Sequence, residues 1–125
     1  MDVILLAAGI GIRTALNYPK QFYPINGKPC LVMSLEIFDS MDEFDRIIIT
    51  CNKDNKKDYE KILKDYKIKK AIIVEGGETR QASVFNALNI KTLPISNNKT
   101  NTNLLLIISS FLLYRYYRKV AFIRI

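Results

Sequence analysis

The chain of 125 residues contains no histidine and no tryptophan, and its only cysteines are Cys30 and Cys51. Without histidine, acid–base catalysis by an imidazole and the commonest zinc ligation are both excluded. Two cysteines make no disulfide framework, and the first residues do not show the charged start and cleavage site of a secretory leader. We therefore expect a cytoplasmic protein in which both cysteines are small buried hydrophobic residues.

Acidic residues are absent after Glu78. The 12 acidic residues lie within residues 1–78, where cations balance them, so the net charge of +7 arises from residues 79–125. Such a basic segment is typical of proteins that bind nucleic acid or anionic lipid. The lysines of residues 56–64, however, interleave with Asp58 and Glu60. This pattern favours a solvated helix face, and we expect no nucleic-acid partner.

Short apolar runs alternate with helical patterns along the chain. The predicted strands are 2–6, 46–51, 71–74 and 104–107, and the predicted helices are 30–39, 55–66 and one that contains Val84, Ala87 and Leu88. The strands are apolar without alternation, which is typical of parallel strands covered on both faces. The order predicts a doubly wound α/β sheet. Pro24–Pro29, with Asn-Gly at its centre, predicts a turn, and the polar residues 91–103 predict an exposed loop.

The first strand leads into a loop of small residues, namely Ala7, Ala8, Gly9 and Gly11. Glycine lets backbone N–H groups approach a ligand closely, and a concave run of such groups binds phosphates. Two cations, Arg13 and Lys20, follow and would neutralise charge on a transferring phosphoryl group. The loop therefore predicts a site for a nucleoside triphosphate.

A second glycine pair, Gly76-Gly77, follows the third predicted strand. Ligands of doubly wound sheets lie beyond the carboxyl ends of the strands, where both glycine motifs fall. A dinucleotide-binding dehydrogenase is the rival interpretation. It would need a third glycine where Thr14 stands and an acidic residue after the strand that ends Thr50-Cys51-Asn52. Both are missing, so the triphosphate site is favoured.

Four motifs in one order make the prediction more specific: LAAGIGIR, PKQF, NGKP and GGETRQASV. Together they resemble the cytidylyltransferase family that makes CDP-methylerythritol from CTP and methylerythritol phosphate, with relatives that make CDP-ribitol. The resemblance implies a Rossmann-like α/β nucleotidyltransferase sheet with helices on both faces. It also implies CTP and a sugar-alcohol phosphate as ligands, and a homodimer.

The resemblance implies a role for each matching position. Arg13 and Lys20 would stabilise the charge that grows on the α-phosphoryl group while pyrophosphate leaves. Ser83 would hydrogen-bond the cytosine, because selection against uracil requires placed polar groups. The other nucleotide-binding positions that it implies are Leu6, Ala7, Ala8, Gly9, Gly11, Gly77 and Glu78.

The resemblance runs from Val3 to Ile107 and then stops. At the next positions the family carries His-Asp, whose aspartate binds the magnesium ion of CTP, whereas this chain has Ile108-Ser109. Magnesium is thus implied by the resemblance, but its aspartate ligand is absent from this sequence, as is the arm that forms the family's dimer. We predict that residues 1–107 are the N-terminal part of a cytidylyltransferase domain and that 108–125 are an aberrant basic and apolar tail, frameshifted or otherwise foreign to the family.

The tail has an uncharged run, 103–114, that is too short to span a membrane. Because the tail mixes basic with bulky apolar residues, adhesion to anionic membranes is the alternative interpretation of this segment.

For the whole chain, methylerythritol phosphate is the expected acceptor and ribitol phosphate the alternative. We expect no activity from the chain as given. The alternative from another class is a non-enzymatic fragment that binds nucleotide.

Overall fold

The computed structural model describes residues 2–9, 18–91 and 105–109. Strands and helices alternate along most of the chain, as the sequence predicts. In order they are β1 (Asp2–Leu6), β2 (Pro24–Ile25), β3 (Lys28–Pro29), α1 (Cys30–Ser40), β4 (Arg46–Cys51), α2 (Lys56–Asp65), β5 (Ala71–Glu75), α3 (Arg80–Lys91) and β6 (Leu105–Ser109). Two 3₁₀ turns, Lys20–Phe22 and Lys53–Asn55, precede β2 and α2.

Four of the strands form one parallel sheet in the order β5-β4-β1-β6. The two central strands are the apolar runs at Asp2–Leu6 and Arg46–Cys51, and their bounds are those predicted from the sequence. In register, Ile4 lies between Ile48 of β4 and Ile107 of β6. The predicted Rossmann-like α/β class is confirmed for the described residues.

Helices cover both faces of this sheet. Successive strand residues point to opposite faces, so Val3 and Leu5 pack on one side and Ile4 on the other. The first side holds the larger core, with Leu31, Leu35 and Phe38 of α1 and Tyr59 of α2. The second side packs Ile4 and Ile48 against Ala87 of α3. Burial on both faces explains why the strand sequences show no alternation.

The remaining element boundaries differ from the prediction by a few residues. Helix α1 runs to Ser40, and β5 includes Glu75. Helix α2 begins at Lys56 because the side chain of Asn52 accepts the Asp54 N–H and holds a 3₁₀ turn ahead of it. Strand β6 ends at Ser109, two residues beyond the predicted domain boundary at 107, and that boundary stays a prediction.

The predicted Asn-Gly turn is a β-hairpin between β2 and β3. Asn26 and Gly27 have φ values of 50° and 79°, as a type I′ turn requires. The hairpin returns the chain to α1, and the Cys30 N–H donates to the Tyr23 carbonyl at 2.9 Å. The hairpin therefore connects the turn that carries Lys20 with the first helix of the core.

Cys51 is fully buried, as predicted, whereas Cys30 is only half-buried, and the two form no disulfide. Burial raises the pKa of both thiols.

Among the described helices, none is both long and apolar enough to cross a membrane. Most of the predicted loop 91–103 and the tail from residue 110 onward lie outside the described residues.

We expect Ile48→Ala to lower the free energy of unfolding by about 3 kcal/mol, because the truncation leaves a cavity beneath α3. Denaturant unfolding followed by circular dichroism measures the change. Ile72→Ala is the control, since Ile72 on β5 is 36% exposed and its truncation should cost about 1 kcal/mol or less. Equal losses for the two variants would contradict the described packing of the sheet.

Candidate functional site

Two loops meet at the carboxyl edge of the sheet. The loop after β1 and the loop after β5 lie on either side of the end of β4. The Ala7 N–H donates to the Thr50 carbonyl at 3.1 Å, and the Gly76 N–H donates to the Cys51 carbonyl at 2.8 Å. Successive carbonyls of one strand end therefore hold both glycine motifs, so the sheet brings together two segments about 70 residues apart.

Glycine is required at position 76 by the closeness of the two loops. A Cβ atom there would lie 2.5 Å from the Ala8 Cβ and 3.0 Å from the Ser83 Oγ. Real Cβ atoms do not approach neighbours so closely, so any side chain at this position would push the loops apart. A Cβ at Gly77 would clash with Ala82 in the same way. These contacts explain why both positions of the Gly-Gly motif must lack a side chain.

Buried side chains hold the first loop from the core side. The Ala7 carbonyl accepts hydrogen bonds from Gln21 Nε2 and from the Tyr59 hydroxyl, each at 2.8 Å. Gln21 Nε2 also donates to the Gly9 carbonyl at 3.2 Å. Gln21 is 2% exposed and Tyr59 is 1% exposed. The loop is therefore attached to both the Lys20–Phe22 turn and α2.

Lys20 lies next to this attachment because it directly precedes Gln21 in the 3₁₀ turn Lys20–Phe22. The turn is held in place by packing as well: the Phe22 ring lies 4.9 Å from the Tyr59 ring, centroid to centroid. Lys20 itself is half-buried. The cation that the sequence predicts to act on the phosphates is thus carried by a turn that is hydrogen-bonded to the loop after β1.

Local hydrogen bonds hold the second loop. The Gly77 N–H donates to the Ser83 Oγ at 3.0 Å, and the Ser83 hydroxyl donates back to the Thr79 carbonyl at 3.1 Å. Thr79 Oγ1 accepts the Ala82 N–H at 3.1 Å and so caps α3. Ser83 is buried at 5% exposure, and its hydroxyl supports the glycine turn. Its implied contact with cytosine stays a prediction.

The structure brings most of the predicted site residues to this one edge. Leu6 is the last residue of β1, Ala7 is buried behind it, and Ala8 and Gly9 become progressively more exposed. Glu78 is exposed beyond Gly77. Gly11 and Arg13 lie outside the described residues. Ligand contacts for all of these positions, and for Lys20, stay predictions.

Two residues of this site were not among the predicted site residues. Gln21 stands in the PKQF motif beside Lys20, so its place in the motif was the available signal. Tyr59 belongs to the apolar stripe of α2, and nothing in the sequence separates its hydroxyl from those of other tyrosines. Burial raises the pKa of Tyr59, so its hydroxyl is a protonated donor at neutral pH.

In the described part of the chain, no three histidine, cysteine, aspartate or glutamate side chains lie together in a group that could hold a metal ion. Magnesium is usually held by one or two carboxylates together with waters and substrate phosphates, and the ion that the sequence resemblance implies stays a prediction.

Comparisons with known proteins identify a family for this chain. The sequence model of the family described as "2-C-methyl-D-erythritol 4-phosphate cytidylyltransferase" matches residues 1–99. A curated protein of that name from Clostridium perfringens is 40% identical over 89 residues, covering 69% of this chain and 39% of the relative. One from Bacteroides thetaiotaomicron is 33% identical over 94 residues, covering 74% and 43%. The chain thus spans about two fifths of the length of these relatives.

Solved structures give the same result. The 4-diphosphocytidyl-2C-methyl-D-erythritol synthase of Anaerococcus prevotii has a TM-score of 0.64 and 26% identity, covering 94% of this chain and 50% of that one. The inositol-1-phosphate CTP transferase of T. maritima has a TM-score of 0.61 over 87% of this chain and 42% of that one. At 20% identity this second likeness supports the fold alone.

We expect Gly76→Ala to lower the free energy of unfolding by about 1–3 kcal/mol, because the added methyl group overlaps Ala8 and Ser83. Gly9→Ala is the matched control, since a Cβ at Gly9 meets no described atom within 4 Å. That variant should change stability by no more than about 0.5 kcal/mol. Urea unfolding of both variants measures the difference, and a tolerated Gly76→Ala would contradict the close approach of the loops.

Proposed function

Because the chain belongs to the 2-C-methyl-D-erythritol 4-phosphate cytidylyltransferase family, we propose that it is the N-terminal part of an enzyme that transfers a cytidylyl group. The donor is CTP, the acceptor is methylerythritol phosphate, and the products are CDP-methylerythritol and pyrophosphate. The observation that carries the proposal is the meeting of the two glycine loops at the end of β4.

The first loop supplies the phosphate side of the proposed site. It follows a parallel strand, and Ala8 and Gly9 are small residues at its accessible end. Backbone N–H groups in such a loop carry fixed partial positive charge and bind phosphate oxygens without a bulky side chain in the way. The second loop, with Gly77, Glu78 and the N-terminus of α3, takes the nucleoside side. Both loops together bind CTP across the end of the sheet.

Lys20 and Arg13 are the proposed catalytic residues. A phosphate oxygen of the acceptor attacks the α-phosphorus of CTP and forms the new P–O bond. The bond between the α-phosphorus and its bridging oxygen breaks, and pyrophosphate leaves with that electron pair. Negative charge grows on the α-phosphoryl oxygens meanwhile, and positioned cations stabilise this state more than the ground state. The attachment of the Lys20–Phe22 turn to the phosphate loop supports this role for Lys20.

A cytoplasmic location and the homodimer that the resemblance implies belong to the same proposal. The location is supported by Cys30 and Cys51, which form no disulfide and so suit a reducing compartment.

We expect the chain to bind CTP more tightly than UTP, ATP or NAD, by at least about tenfold over UTP, because placed polar groups read the base. Calorimetric titration of the purified chain with each nucleotide measures this order. Equal heats for the four nucleotides, or a preference for NAD, would reject the cytidylyl function.

We expect Lys20→Ala and Arg13→Ala, in a version completed to the full length of the relatives, each to lower kcat by ~10²–10³ with little change in KM for CTP. Steady-state assay of pyrophosphate release measures both parameters. Lys28→Ala is the matched control, because Lys28 pairs with Glu36 on the surface at 2.9 Å. A higher KM with an unchanged kcat would show that these cations bind the ground state and the transition state equally, and would reject their transition-state role.

A further inference from the structure

We propose that Gln21 and Tyr59 are positioning residues of the first loop, whose described residues are 7–9. They act by holding the Ala7 carbonyl on the core side of the sheet. This inference rests on the proposed function and deepens it, because it assigns the loop's orientation to two side chains outside the loop. Neither residue needs to touch the nucleotide. Both act through the backbone of residues 7–9.

Hydrogen bonds fix both backbone groups of Ala7, its carbonyl and its N–H, which belong to successive peptide groups. Its carbonyl oxygen has two lone pairs, and these accept from Gln21 Nε2 and the Tyr59 hydroxyl at 2.8 Å each. Its N–H donates to the Thr50 carbonyl at 3.1 Å. The three partners come from a 3₁₀ turn, from α2 and from β4. One residue thus connects three elements of the fold with the start of the loop.

Fixing the Ala7 carbonyl also fixes the amide that follows it. None of the described peptide bonds is cis, so the C=O of Ala7 and the N–H of Ala8 point in opposite directions. With the carbonyl directed toward Gln21 and Tyr59, the Ala8 N–H is directed away from the core. The second hydrogen bond of Gln21, to the Gly9 carbonyl at 3.2 Å, holds the next part of the loop to the same side chain.

The chemistry of Gln21 suits this task better than a packing role. Both of its hydrogen-bond partners are carbonyl oxygens, those of Ala7 and Gly9, so its NH₂ group must face them. One amide NH₂ group has two N–H bonds and can donate to both carbonyls at once. In the described part of the chain Gln21 Oε1 is buried without a hydrogen-bond partner. An apolar residue of similar length would fill the same space without burying polar atoms. The donor function therefore explains a glutamine here.

The hydroxyl of Tyr59 is likewise unnecessary for packing. Its ring lies in the larger core against Phe22, where a phenylalanine would fill the same volume. The hydroxyl adds one hydrogen bond, and that bond reaches a carbonyl 52 residues away in sequence. Burial keeps the pKa of Tyr59 above its ordinary value, so the donor is not lost at neutral pH.

Three single variants of the 125-residue chain test the proposal. Tyr59→Phe removes one donor, and Gln21→Glu replaces the other donor with an oxygen that faces two carbonyls. Tyr66→Phe removes a hydroxyl next to the end of the same helix and is the matched control. For each protein we measure the amide chemical shifts of Ala8 and Gly9 by NMR, CTP affinity by calorimetry, and thermal unfolding. Affinities are compared at a temperature where every variant is folded.

We expect Tyr59→Phe and Gln21→Glu each to move the Ala8 amide signal and to weaken CTP binding by about three- to tenfold, as for one lost hydrogen bond. Their combination should cost less than the product of the two factors, because both act on one carbonyl oxygen. Tyr66→Phe should change neither quantity. If Gln21→Glu does not fold, Gln21→Met, which keeps the length of the side chain, replaces it.

A loss of stability with unchanged Ala8 shift and unchanged affinity of the folded protein would overturn the proposal and leave a packing role. Absence of CTP binding by the unsubstituted chain would instead count against the proposed function. In that case the Ala8 and Gly9 amide shifts decide alone. A change of these chemical shifts in Tyr59→Phe and Gln21→Glu but not in Tyr66→Phe supports the positioning role. Unchanged chemical shifts in all three variants overturn it.

Discussion

The parallel pairing of β1 with β4 is the constraint on which the rest of this structure depends. It places Leu6 opposite Thr50, so that the chain leaves both strands at one edge. The carbonyls of Thr50 and Cys51 then become acceptors for the first residues of the two glycine loops. Without this register, Ala8 and Gly76 would not meet, and motifs far apart in the sequence would form no common site.

Much of this sheet was predictable because burial on both faces leaves a strong pattern. The strands Asp2–Leu6 and Arg46–Cys51 are continuous apolar runs, and their predicted bounds are those observed. Helix ends were less predictable, since they depend on single side chains. The predicted start was residue 55, and the observed start at Lys56 is set by the Asn52 cap on a 3₁₀ turn. Strand β6 is longer than predicted, and the pairing of Ser109 with Leu6 is visible only in three dimensions.

For the site, the sequence predicted the loops but not what holds them. Glycine is recognisable because a close approach requires it, as at Gly76. A buried donor such as the Tyr59 hydroxyl cannot be recognised, because tyrosine in an apolar helix stripe is common and only the fold shows which carbonyl it meets. Ser83 illustrates the opposite case. The resemblance implies a contact with the base, which stays a prediction, whereas the structure shows that its hydroxyl supports the turn at Gly77.

The two loops also differ in how their shape depends on the rest of the fold. The second loop is held by the bond from the Gly76 N–H to the Cys51 carbonyl and by bonds between residues 3 to 6 positions apart, so its shape needs the end of β4 and the start of α3 but not α2. The first loop is held by bonds that span 14 and 52 residues, so its shape requires the sheet, the Lys20–Phe22 turn and α2 together. Partial unfolding that releases α2 would therefore disorder the first loop, the proposed phosphate side, while the second loop, the proposed nucleoside side, persists. Nucleotide that contacts both loops would favour the fully folded state, because only that state presents both halves of the site.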